Sequence, residues 1–166
     1  MYNFIKNLLE DKKSDTIFTC FGTYHLIYMF LIFGGIILAI ILLKNKNENV
    51  KKNAISVTIN SALGLYILDF FLMPFAYGKI DIEKLPFHIC TAMCVLCFLS
   101  NHIKIFSKFR VQFAFLGLIS NIIYVIYPAG VGWYQIHPLS YRVYQTLVFH
   151  GLMTAYGLFV LIFEKV

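Results

Sequence analysis

A proline, an imidazole and a thiol follow one another in Leu85-Pro86-Phe87-His88-Ile89-Cys90. A cysteine attacks as its thiolate, so a nucleophilic Cys90 needs a base nearby. His88 lies two residues away on the same helix and points elsewhere. The base would then come from another segment, from His150 or His25. A carboxylate such as Asp69 could orient that imidazole, and the thiolate would then be a nucleophile for covalent catalysis. The plainer reading of Cys90 is a small packing residue, because free cysteine is commonly buried.

Other polar groups carry the same double reading. Cys90, Cys94 and Cys97 share one helix face and with a histidine would make a metal site, but apolar neighbours favour helix packing there. We expect no metal and no cofactor. His150-Gly151, with Ala155 four residues on, places an imidazole beside a close helix contact, where a structural hydrogen bond is the alternative role. Asp69 as a proton-coupling carboxylate would fit a transporter, although the chain shows no inverted repeat. His25, Arg142 and Gln145 are candidate binding residues. Arg142 could meet a lipid phosphate, or simply snorkel to the interface. His102 and His137 fall in loops and read as exposed.

The segments that must position these groups are membrane helices. Of 166 residues, 60% are apolar or aromatic and 13% charged. That is about half the charge of an ordinary soluble domain. The apolar residues form long unbroken runs, which a soluble fold of this size could not hide. The expected fold is an all-α polytopic bundle in the cell membrane. The net charge of +6 does not point to nucleic acid. Its lysines cluster in short loops between apolar runs, the pattern of cytoplasmic loops facing anionic lipid. The four cysteines lie in or beside apolar runs and give no disulfide framework.

Residues 1–19 read as an amphipathic interfacial segment, with Phe4, Ile5, Leu8 and Leu9 at helical spacing among charges. They lack the separate apolar core and cleavage site of a signal peptide. Ser14 or Asp15 could cap the first span. Residues 20–166 form a single transmembrane domain with about five spans, at about 20–43, 54–77, 86–100, 111–127 and 141–163. Gly34-Gly35 offers a close-packing point, and Pro74 a kink or a loosened helix end. Trp133, Tyr134 and Tyr127 fit an interfacial belt.

Alternate loops are basic. Residues 44–52 hold four lysines against one acid, and 101–110 hold Lys104, Lys108 and Arg110 with no acid. The positive-inside rule puts both loops in the cytoplasm, the N-terminus outside and the C-terminus inside. Counting from the helix ends, His25, Asp69, His88, Cys90 and His150 all lie within roughly 13 Å of one face. All are therefore in one half of a layer about 30 Å thick. Buried ionisable groups normally face the bundle interior. They should meet in a small polar cavity among spans one, two, three and five.

These residues carry a resemblance. Gly22-Thr23-Tyr24-His25-Leu26, Leu85-Pro86-Phe87-His88-Ile89-Cys90, Gly117 with Pro128, and Arg142-Val143-Tyr144-Gln145 followed by His150-Gly151 resemble the bacterial YwaF-like integral membrane proteins. The likeness runs from about residue 20 to 163. That family is similar to a eukaryotic transmembrane acyltransferase that remodels ether phospholipids through a cysteine. The resemblance implies Cys90 as acyl acceptor, with His88 or His150 assisting, and membrane lipid as substrate. Typical members continue for about two further spans. The alternative is a non-catalytic module that binds lipid or a small solute, or supports a partner membrane protein. A second copy of the chain is a further candidate partner.

Overall fold

The computed structural model describes residues 16–77, 88–132 and 135–164. The amphipathic segment up to residue 15, with its Ser14 or Asp15 cap, lies outside them, as do Leu85-Pro86-Phe87 and the Trp133-Tyr134 pair. The described residues are mostly helical, without a strand among them. Five helices carry the fold: α1 (Thr23–Lys44), α2 (Glu48–Tyr77), α3 (Ile89–His102), α4 (Arg110–Ile126) and α5 (Tyr141–Phe163). One-turn helices at Lys104–Ser107 and Ala129–Gly132 join α3 to α4 and follow α4.

Local chemistry sets the boundaries. Lysine and asparagine end α1, and Asn47 Oδ1 accepts from the Val50 N–H at 2.9 Å where α2 starts. Ser140 caps α5 by accepting from the Val143 N–H. Helix α2 runs on through Pro74 to Tyr77. A proline one turn from a helix end removes a single ladder bond there, so the helix need not stop.

Among the described residues, four helices are long and apolar enough to cross a membrane: α1, α2, α5, and α4 taken with the turn after it. The apolar runs predict five crossings, and α3 is the difference. Its 14 residues rise only about 21 Å, against a layer of about 30 Å. At its far end Ile103 is extended (φ −115°, ψ 119°), which breaks the helix.

Helix α5 is the axis of the bundle. It packs against α4, α2 and α1, while α3 fills the angle between α2 and α4. Its membrane window is 67% buried, against 6% for α1. An α-helix buried all round belongs in the middle; one exposed all round belongs against lipid. Glycines allow the close crossings. A Cβ on Gly157 would stand 2.7 Å from Leu118 Cβ and 2.8 Å from the Ala114 carbonyl, and one on Gly151 would stand 3.0 Å from Ile32. Gly34 and Gly35 differ from expectation, since a Cβ on either meets nothing within 4 Å. Helix α1 turns that pair away from its neighbours.

Candidate functional site

Helix α4 supplies the meeting point. Its consecutive residues Ser120 and Asn121 receive groups from two other helices. The Cys90 thiol of α3 donates to the Ser120 carbonyl at 3.8 Å. His150 of α5 lies with Nδ1 2.7 Å from Asn121 Oδ1. Cys90 is half-buried and His150 buried.

The direction of the His150 bond follows from its neighbours. The Asn121 amide nitrogen donates to the Gly117 carbonyl at 2.7 Å and to Ser120 Oγ at 3.2 Å. The amide oxygen is therefore the atom that faces His150, and Nδ1 is the donor. In a neutral ring Nε2 is then the basic nitrogen. Two contacts fix the ring plane: Tyr124 stacks on it with centroids 3.9 Å apart, and Phe149 meets it edge-on at 5.1 Å. An amide holds an imidazole by one nitrogen and orients the other, as Cys-His-Asn sites do in soluble enzymes.

Asp69 is buried on α2, within Coulombic reach of the hydroxyls of Tyr66 and of Tyr141 at the start of α5. Arg142 follows Tyr141 and is half-buried. Gln145 is buried, its Oε1 accepting from Thr146 Oγ1 at 3.3 Å. His88 is exposed. Its role in the backbone is as N-cap of α3, with its carbonyl accepting from Ala92 N and Thr91 Oγ1.

His25 is bound on both sides. Its Nδ1 accepts from the Phe21 N–H at 2.9 Å, so Nε2 carries the proton and donates to the Val125 carbonyl at 2.9 Å. Val125 is in the last turn of α4, where carbonyls lack helical partners. The imidazole thus caps α4 and holds Phe21, whose φ of 61° is left-handed. Phe18 and Phe21 wall it in, with centroids 5.6 and 5.7 Å away. Both nitrogens are spent on backbone, and His25 is a tie between α1 and α4.

Cys94 and Cys97 are fully buried in the apolar core with Ala114, Met153 and Tyr156. Among the described residues, no three histidine, cysteine or acidic side chains gather as a metal site would need.

Asn121 and Ser120 are not among the candidates that residue type and spacing pick out. Their signal is an asparagine in the middle of an apolar run, which a bilayer tolerates only with a partner. A count of ionisable groups passes over the amide that receives one of them.

Residues 20–166 match the TMEM164 family, and the chain belongs to it. Neither a curated protein nor a solved structure matches the chain. With four helices among the described residues long and apolar enough to span a membrane, it is a multi-pass membrane protein.

Proposed function

We propose that this TMEM164-family chain is a membrane-embedded acyltransferase acting on phospholipids, with Cys90 as nucleophile and His150 as its base. One observation carries the reading: neighbouring residues of α4 hold the thiol from α3 and the imidazole from α5. The YwaF-like resemblance, with its cysteine-dependent relative, supports the same chemistry.

His150 Nε2 takes the Sγ proton as the sulfur attacks the carbonyl carbon of a lipid ester. The C–O bond breaks, and the lysolipid oxygen leaves with the proton from the imidazolium. A hydroxyl of an acceptor lysolipid then attacks the thioester and loses its proton to Nε2, and the thiol is restored. Asn121 keeps the ring in the reactive tautomer throughout. Asp69 and Tyr141 stand at the same end of the bundle, with Arg142 and Gln145 beside them as lipid-contacting residues. His88 remains a candidate to assist, from the exposed start of α3. The site opens toward the outer leaflet, and the basic loops face the cytoplasm.

The test is acyl exchange between a phospholipid and an isotopically labelled lysophospholipid, followed by mass spectrometry on the full chain in vesicles. Wild type should exchange acyl groups and form a hydroxylamine-sensitive adduct on Cys90. Cys90→Ala should abolish both. Exchange undiminished in Cys90→Ala sinks the proposal.

A second reading has its own observation. The thiol's hydrogen bond goes to a backbone carbonyl rather than to an imidazole. A non-catalytic lipid- or solute-binding module, or a subunit supporting a partner membrane protein, fits that contact. There, replacing Asp69 or His150 lowers folded yield, and no acyl exchange occurs in wild type.

A further inference from the structure

At the opposite end of the bundle from Cys90 and His150, three helix ends meet around a cleft of ≈ 460 Å³. The start of α2 contributes Glu48, Lys51 and Lys52, the start of α4 contributes Arg110, and the end of α5 contributes Phe163 and Glu164. That volume is within the range of small-molecule sites, about 300–1,000 Å³. Because these residues end or begin membrane-length helices, the cleft lies at headgroup level.

The charges in it are unevenly committed. Arg110 pairs with Glu164 and also donates from Nε to the Ser100 carbonyl at 3.2 Å. Lys51 pairs with Glu48 at 3.1 Å and lies over the Phe163 ring at 5.6 Å. Among the described residues no carboxylate pairs with Lys52. Outside the cleft, the end of α1 and the connection between α3 and α4 hold Lys44, Lys46, Lys104 and Lys108. The first turns of α2 and α4 face the same end; Asn47 caps α2 through the Val50 N–H, while α4 starts without a side-chain cap.

We propose that this cleft binds a phosphate group through Lys51, Lys52 and Arg110, and that an anionic phospholipid headgroup is its source. Basic pockets between membrane helices hold such headgroups by charge and hydrogen bonding. The incoming phosphate takes Lys52 outright and shares Lys51 and Arg110 with their acids. None of these residues takes part in the proposed acyl transfer, so headgroup binding stands or falls separately from it.

The experiment is thermal unfolding of the full chain in detergent micelles. The probes are phosphatidylglycerol, phosphatidylcholine as the zwitterionic control, and inorganic phosphate matched to chloride in ionic strength. Phosphatidylglycerol should raise the melting temperature by several degrees above phosphatidylcholine. Lys51→Gln with Lys52→Gln should lose most of that rise, and Lys52→Gln alone, on an exposed side chain, should lose part of it. Lys44→Gln with Lys46→Gln removes equal charge outside the cleft and should keep it. A rise with phosphatidylglycerol alone identifies a lipid; the same rise with inorganic phosphate identifies a soluble phosphate group as the source. The proposal is overturned if neither probe raises the melting temperature, or if both double variants lose the rise equally.

Discussion

His150 Nδ1 stands 2.7 Å from Asn121 Oδ1, and the rest of the Asn121 amide determines which of the two donates. Nitrogen NMR of labelled histidine should therefore show the Nδ1–H tautomer at this ring. Asn121→Ala should give a mixture of tautomers and cut acyl exchange about 10- to 100-fold, part of what a general base contributes. A pure Nε2–H signal in wild type would contradict the account.

Replacing His25 tests a different role. His25→Phe keeps a ring between Phe18 and Phe21 but strands the Phe21 N–H and the Val125 carbonyl. Leaving buried groups unpaired costs about 1–3 kcal/mol. Thermal melting should fall accordingly, while acyl exchange per folded molecule stays near wild type. Unchanged melting would show that the tie contributes nothing.

Two glycines should respond in opposite ways. Gly157→Ala drives a methyl into Leu118 and the Ala114 carbonyl, and overpacking of this kind costs about 1–3 kcal/mol. Gly34→Ala enters open space and gains helix propensity of up to about 1 kcal/mol. Chemical denaturation in a common detergent compares them. Equal stability of the two variants would mean that α4 and α5 do not cross where Gly157 sits.

The Arg110–Glu164 pair joins the start of α4 to the end of α5, and Arg110 Nε reaches α3 through Ser100. Both side chains are about one fifth exposed. Arg110→Met should cost about 1–2 kcal/mol, between the values for exposed and buried pairs. Glu164→Gln keeps an acceptor and should cost less. The comparison is read from melting temperatures in low and high salt, where the wild-type advantage should shrink only slightly.

Much of this architecture is legible in the sequence because bilayers read sequence coarsely. Unbroken apolar runs and lysine-rich loops mark helices without any knowledge of packing. Pro74 shows the limit, since its position near the end of α2 decides its effect. The shortness of α3 is hidden because apolar length does not report where Ile103 leaves the helix. In the site, type and depth put His150 and Cys90 at one level but do not point to α4, the helix that receives both. They are not enough to separate His25, whose bonds go to backbone groups that carry no side-chain signature. Asn121 is hidden for the converse reason: it has no charge, and its role depends on which way an amide is turned.

The burial of α5 also bears on how the molecule is made. It is the last of the five helices in chain order, yet it packs along α4, α2 and α1 and reaches α3 through the Tyr156 hydroxyl on the Cys97 carbonyl. At a ribosomal pace of about 5–20 residues per second, α4 waits roughly 2–7 s before α5 is complete. During that interval α1, α2 and α4 sit in lipid without their common partner, and Asn121 without its imidazole. Assembly is therefore gated by the latecomer, and any chaperone of biogenesis would act in that window, on surfaces that the finished protein hides.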